Sequence, residues 1–291
     1  MSPTALTSTP TRLRIRHETE VAYQGSAASS YNEVRMTPLT LPTQTVLDSR
    51  VTVSPATPTW SYWDYWGAQV TVFDLLDPHA RLMVTATSLV ETSPAPPLPV
   101  PPPRAELTEQ VQGSRLIEYL IPTQRTSLDA ELAEAAAEAA EAVRDLDAHE
   151  AATAVVDLIR GRLDYRPGST GVQTTAAGAW SLRAGVCQDF AHIAAALLRA
   201  AGLPARYVSG YLHPRPEART HEPVAGESHA WVEYWAGDWV GCDPTNGTRT
   251  GESHVVVARG REYGDVPPHK GVYHGAPGSA PTVRVEFTRT V

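Results

Sequence analysis

Apolar and polar residues alternate along much of the first third of the chain. Arg12–Tyr23 (RLRIRHETEVAY), Val46–Pro55 (VLDSRVTVSP), Gly67–Leu75 (GAQVTVFDL) and Arg81–Val90 (RLMVTATSLV) each keep the two-residue period of a half-buried strand, with Pro, Gly and Asp between them. The pattern predicts an N-terminal antiparallel β-sandwich. Inside it, Trp60–Trp66 (WSYWDYW) carries five aromatics in seven positions. Two readings fit this stretch: a strand plugging the sandwich or a domain interface, or an aromatic patch that binds peptide.

Thr92–Glu106 (TSPAPPLPVPPPRAE) is dense in proline and predicts an extended, semi-rigid connector. Beyond it the period changes. Ser127–Tyr165 is rich in Ala and Glu, with Leu and Val at helical spacing and a break around Asp145–His149. The second helix there sets Val155, Val156, Ile159 and Leu163 on one face. This organisation suggests two domains, residues 1–103 with the sandwich and linker, and residues 104–291 with the chemistry.

The next helix begins at Cys187. Phe190, Ala191, Ala194, Leu197, Leu198 and Ala201 follow at helical spacing, and Gly202 and Pro204 end the run. Cys187 therefore falls in the first turn, where unpaired backbone N–H groups and the helix dipole favour a thiolate and can also serve an oxyanion. A small cysteine at a helix start is often plain filler, so a base must be found. His192 lies five residues on, about 140° around the axis, and is excluded as that base.

A better partner lies in Glu227–Gly247 (ESHAWVEYWAGDWVGCDPTNG), which reads as a β-hairpin turning at Ala236-Gly237-Asp238. His229 and Asp243 are symmetric about Ala236, so a three-residue turn centred there sets them directly opposite. A two-residue turn puts them on opposite faces unless a bulge intervenes. In the first register Cys187, His229 and Asp243 form a nucleophile, a base and an orienting acid. Cys242 points to the other face of the hairpin and reads as core, not as a disulfide partner for Cys187.

Composition narrows the function classes. The 291 residues are 42% hydrophobic and 19% charged, with a net charge of −8 and no basic stripe. Nucleic acid and anionic membrane are therefore poor partners. No run approaches the roughly 18 apolar residues of a spanning helix. The N-terminal MSPTALTSTPTRLRIR lacks a basic start followed by an apolar run, and two cysteines make no disulfide framework. A cytoplasmic location is the expectation. His213, His221 and His254 match no metal-site spacing, and no acidic loop resembles a calcium site, so neither metal nor cofactor is expected.

The motifs AGVCQDFAHIAAALLRAAGLPARYVSGYL, SHAWVEYW…WVGCDPTNG and ARGREYGDVPPHKGVYHG closely resemble the bacterial transglutaminase-like superfamily, in particular its cysteine proteases with an added N-terminal β domain. The match is most specific over Tyr165–Gly275 and extends loosely to the sandwich and the final PTVRVEFTRTV. The resemblance implies an α+β, papain-like core with the Cys helix packed on an antiparallel sheet. It also implies Cys187 as nucleophile, His229 as base and Asp243 as the third member. Arg261-Glu262-Tyr263 stands where relatives carry Arg-Asp-Tyr, a conservative difference. The motif does not identify a second oxyanion donor; Gln173 and Trp180 are candidates. The expected activity is acyl transfer on peptide or glutamine amides through a thioester. Water as acceptor gives a peptidase or amidase, an amine gives a transglutaminase, and a silent peptide-binding module is the third reading. Residues 213–228 are expected to form a mobile flap beside the site.

Overall fold

The computed structural model describes residues 10–291; the expectation about the N-terminal signal falls partly on residues 1–9, outside the described part. The first sheet is built from β1 (Thr11–Val34), β2 (Gln44–Ser54), β3 (Trp60–Trp63), β4 (Gln69–Leu75) and β5 (His79–Thr92). A helical region follows, with α1 (Arg104–Gln112), α2 (Ala130–Ala142) and α3 (Ala148–Arg162). The two-residue strands β6 (Asp164–Tyr165) and β7 (Ala184–Gly185) flank α4 (Ala176–Leu182), and α5 spans Cys187–Ala200. The rest is β8 (Ala205–Leu212), β9 (Pro223–Gly226), β10 (Ser228–Trp235), β11 (Trp239–Asp243), β12 (Thr248–Arg249), β13 (His254–Gly260), β14 (His269–Gly275) and β15 (Thr282–Arg289).

The layers expected of a sandwich are parts of one curled antiparallel sheet, because β1 is 24 residues long and serves two sets of partners. Its first half lies between β5 and β15, and its second half pairs with β4 and β14. Between Ala22 and Ala27 the register with β5 shifts, and Gly25 there has φ +136°, a conformation side chains resist. Val21, Val34, Phe73, Leu82 and Val84 fill the curl. The boundary expected at residues 103/104 is crossed: β14 and β15 return from the chain's end to complete the first sheet. In the WSYWDYW stretch the four residues of β3 are exposed and plug nothing, but Tyr65 and Trp66 after it meet the segment beyond the linker: the Tyr65 hydroxyl donates to Glu118 at 2.6 Å and the Trp66 ring lies 5.8 Å from that of Tyr119.

The second sheet has the order β12-β11-β10-β8-β13, all antiparallel, and α5 packs on β10 and β8. Val155, Val156, Ile159 and Leu163 are buried as their spacing requires, and Asp147 caps α3 through a reciprocal pair with Glu150. One apolar cluster runs from Ile15 and Phe287 of the first sheet through Ile159 of α3 to Leu197 and Val232. Both sheets are thereby fixed to the helix that carries Cys187. The proline-rich connector is extended and strapped down, with Pro96 O accepting from Arg249 and Pro99 O bonded to His149. Residues 213–228 are no free flap: β9 pairs with β15, and Ala218 and Val224 are buried. Among the described residues no helix is long and apolar enough to cross a membrane.

Candidate active site

Cys187 is the first residue of α5, half-buried, and Gly202 closes the helix region with φ +75° as its sequence signal requires. The helix start is held from outside. Asp189 is fully buried and accepts from Val186 N at 2.8 Å and from Thr170 Oγ1 at 2.5 Å. Gln188 donates to Gly171 O at 3.2 Å. Gly185 is needed here, because a Cβ on it would lie 2.7 Å from Asp189 Cβ. Burial raises the Asp189 carboxyl above its ordinary range, against the hydrogen bonds it accepts. Sequence reasoning missed this support, although the Asp lies three residues after the N-cap, where an acid can reach back to a free N–H.

The hairpin register differs from the expectation. The pairs Trp235↔Trp239 and Val232↔Cys242 centre the three-residue turn on Gly237, whose φ is +87°, and not on Ala236. Continued by one step, this register puts Asp243 opposite Trp231, with His229 diagonal to it. A shift of two keeps the face, since strand side chains alternate with period two. His229 Nε2 therefore still reaches Asp243 Oδ2, at 2.7 Å. Cys242 packs on the other face against the main core, as expected.

The His229 ring is bonded to Asp243 through Nε2, and Cys187 at the start of α5 acts on its charge, which leaves Nδ1 as the ring nitrogen not taken by Asp243. Burial opposes a charge on the ring, but the bond to Asp243 and the influence of Asp243 and Cys187 outweigh it, and its pKa is pushed up to about 9. Asp243 is fully buried. Its Oδ2 also accepts from Asn246 Nδ2 at 2.7 Å, and its Oδ1 accepts from Thr245 N and Asn246 N at 3.0 and 3.2 Å. Burial works against the carboxylate, yet the bonds from His229, His254 and the Asn246 side chain, with the charge on His229, hold its pKa far below the usual range. Tyr165, half-exposed, lies where its hydroxyl feels the charges of Cys187, Glu227 and Asp243. For Cys242, burial and the Asp243 charge push the thiol up to about 12.

His192 is fully buried. Its Nε2 accepts from Tyr263 N at 3.1 Å and its ring stacks on Tyr207, while burial pushes its pKa down to about 3. Gln173 is engaged with Arg125 at 2.9 Å, and Trp180 lies under Arg162 at 4.5 Å, lining a groove between α2, α3 and α4. Neither is drawn to Cys187 by these contacts. Glu262 of the Arg-Glu-Tyr motif pairs with Arg125 at 2.6 Å.

Of the histidines set aside as metal candidates, only His254 joins the site. His229, Asp243 and His254 bring ligand-type atoms within 4.8 Å of one another. Both rings, however, aim an Nε2 at the same Asp243 oxygen, at 2.7 and 3.3 Å. N–H donors to a carboxylate account for the cluster without an ion.

Comparison with known proteins agrees with this architecture. Residues 134–244 match the transglutaminase-like superfamily, and residues 13–91 match the bacterial transglutaminase-like N-terminal region. An uncharacterised protein of Mycobacterium leprae is 41% identical over 278 residues, covering 96% of this chain and 99% of that one. A solved structure from Cytophaga hutchinsonii, named as a candidate cysteine protease, shares the fold with a TM-score of 0.74 at 20% identity, covering 97% of this chain and 98% of that one. A Pseudomonas aeruginosa protein-glutamine gamma-glutamyltransferase is 35% identical over 111 residues, 34% of this chain and 16% of that protein. On the strength of its full-length relatives, its two matched regions and its fold, the chain belongs to the transglutaminase-like superfamily.

Proposed function

We propose that the chain is a cysteine-dependent acyl-transfer enzyme acting on peptide or glutamine amides, with hydrolysis as its main outcome. One observation carries this reading: a single imidazole is bonded to a buried carboxylate, and Cys187, at the start of a helix, is among the groups that act on its charge. The Cys187 thiolate attacks the amide carbon, and the carbonyl electrons move onto oxygen. The Cys187 backbone N–H, free in the first helical turn, is the first donor we assign to that oxyanion. As the C–N bond breaks, His229 gives its proton to the departing amine and a thioester remains. Water then attacks the thioester, His229 takes a proton from it, and the Cys187 thiolate and the carboxylic acid separate. Asp243 keeps the ring oriented and supports its charged form throughout. Cys187 is half-buried and not sealed, so water can reach the thioester.

Amine transfer is the second reading, favoured by the stretch shared with the Pseudomonas protein-glutamine gamma-glutamyltransferase. The two are separated by incubating the protein with casein, with and without a fluorescent primary amine, and scoring new N-termini, ammonia release and amine incorporation. New termini or deamidation support hydrolysis; incorporated amine supports transfer. Cys187→Ala serves as the control, since alanine suits a first helical turn and keeps the fold. Peptide binding with no covalent product at Cys187 overturns the enzymatic reading in favour of a binding module.

A further inference from the structure

The site holds one more imidazole than a thiol, a base and an acid need. His254 opens β13, which is separated from β11 by both β10 and β8, yet its Nε2 lies 3.3 Å from Asp243 Oδ2. The intervening strands make this reach possible. Gly210 of β8 has no side chain, and a Cβ on it would lie 2.1 Å from Val255 O and 2.7 Å from Trp231 Cη2. The fully buried Trp231 indole uses that space. The His229 ring stacks on it at 6.1 Å and the His254 ring meets it edge-on at 5.3 Å.

The protonation of His254 follows from its bonds. Its Nδ1 accepts from Gly251 N at 3.3 Å, so in the neutral ring the proton is on Nε2 and is donated to Asp243. Asp243 then receives five donors, three on Oδ2 and two on Oδ1. His254 is not a second base, because both of its ring nitrogens are already engaged, Nδ1 with Gly251 N and Nε2 with Asp243.

On its other side His254 borders a cavity of about 400 Å³, shared with Trp231, Arg206, Glu233, Arg249 and Arg259. Trp231 belongs to the sheet face opposite the one that packs on α5, since its neighbours Ala230 and Val232 join the α5 cluster. The imidazole and the indole thus stand between this polar cavity and a carboxylate with no solvent exposure.

We propose that His254 is a positioning residue for Asp243: its Nε2–H fixes the carboxylate toward His229, and its ring closes the carboxylate off from the cavity behind the sheet. The proposal rests on the functional reading of Cys187, His229 and Asp243 given above. Without the donor, Asp243 turns away from His229 or takes water from the cavity, and a solvated carboxylate supports the imidazolium less. Other titratable groups near this cluster are Cys187 from α5, Tyr165 of β6 and Glu227 ahead of β10, with Cys242 next to Asp243 in the chain but on the opposite face of β11. From the cavity side the charges are Arg206, Arg249, Arg259, Asp238 and Glu233, with Glu233 paired to Arg206 and Arg259.

Two variants of the full chain separate donation from space-filling. His254→Gln keeps an N–H of similar reach, whereas His254→Phe fills the space without donating. Two readouts apply: the His229 ring titration by ¹H–¹⁵N NMR, and the rate of Cys187 alkylation by iodoacetamide. Glutamine is expected to hold the His229 midpoint and stay within about twofold of the parent rate; phenylalanine is expected to lower the midpoint and slow alkylation roughly tenfold or more. His254→Leu replaces the phenylalanine variant if that chain does not fold. A merely structural His254 lowers Tm in all three variants without moving the His229 midpoint, and that result overturns the proposal. Failure of the functional reading looks different: His229→Ala then leaves Cys187 alkylation unchanged, while the midpoint still answers to His254.

Discussion

Asp243 faces Trp231 across the hairpin, and it reaches His229 along the diagonal. Diagonal neighbours on one face of an antiparallel pair are about 7–8 Å apart at the backbone, within reach of an imidazole and a carboxylate that lean toward each other. The 2.7 Å bond between them therefore depends on how firmly the carboxylate is aimed. The turn after β11 does the aiming: Thr245 N and Asn246 N bind Oδ1, and Gly247, at φ +67°, donates to Asp243 O at 2.8 Å.

Asp243→Asn tests that aiming. An amide has one acceptor oxygen, so either the Oδ1 donors or the Oδ2 donors face an NH₂ group instead of a carboxylate oxygen. Turnover and Cys187 alkylation are expected to fall by roughly a hundredfold or more, with the chain still folded. Asn246→Ala removes one side-chain donor of the five and is expected to cost much less. Comparing initial rates of the two variants on one substrate checks the order; equal mild losses argue that the hairpin is only structural.

The pH dependence of stability has a worked sign. His17 and His192 are buried, and burial lowers them from 6.5 to about 4 and about 3. Below pH 6.5 the unfolded chain takes up protons that the folded chain refuses, so stability falls with pH, by roughly 3–5 kcal/mol for each group across its full shift. His229 acts oppositely. Its pKa is raised from 6.5 to about 9, so its contribution is complete below 6.5 and is lost as pH rises through 9. Urea midpoints are expected to peak near pH 6.5. His229→Ala should flatten the alkaline limb and leave the acid limb in place.

The sequence carried the helix bearing Cys187 in full, because its start, its apolar face and its Gly202–Pro204 stop are all local signals. It also carried the pairing of His229 with Asp243, since a two-residue error in the register leaves the face unchanged. What it did not carry is non-local. The return of β14 and β15 to β1 depends on an edge of β1 some 250 residues earlier in the chain. His254 enters the site only because Gly210 and Trp231, on two other strands, leave a path for it. The exposure of β3 shows the same limit: an aromatic run looks the same whether its sheet face is covered or open.

Two glycines make a paired test of packing. Gly210→Ala places a methyl 2.1 Å from the Val255 carbonyl oxygen, a backbone atom that no side-chain rotation can move. The variant is expected to lose about 1–3 kcal/mol or more, and to disturb Trp231 with it. Gly161, inside α3, has nothing within 4 Å of the place a methyl would take. There alanine is expected to add roughly 0.5–1 kcal/mol through helix propensity. Chemical denaturation of both variants reads the contrast, and a stable Gly210→Ala chain removes the geometric argument for Gly210.

The two thiols differ in surroundings and are expected to differ in reactivity. Cys187 starts a helix, is half-buried and acts on the charge of His229, a ring able to take its proton. Cys242 lies on the opposite face of the hairpin strand, packed on the core, with its pKa pushed up to about 12 by burial and the Asp243 charge. At pH 7 a thiol so raised holds almost no thiolate, and the thiolate is the nucleophile. Iodoacetamide on the native protein should therefore label Cys187 quickly and Cys242 hardly at all, as read by mass spectrometry of the two peptides. In denaturing urea the distinction should vanish, because it belongs to the fold and not to the local sequence. His229→Ala should slow Cys187 and leave Cys242 as it was. Equal native rates at the two cysteines would show that no activated thiol exists here.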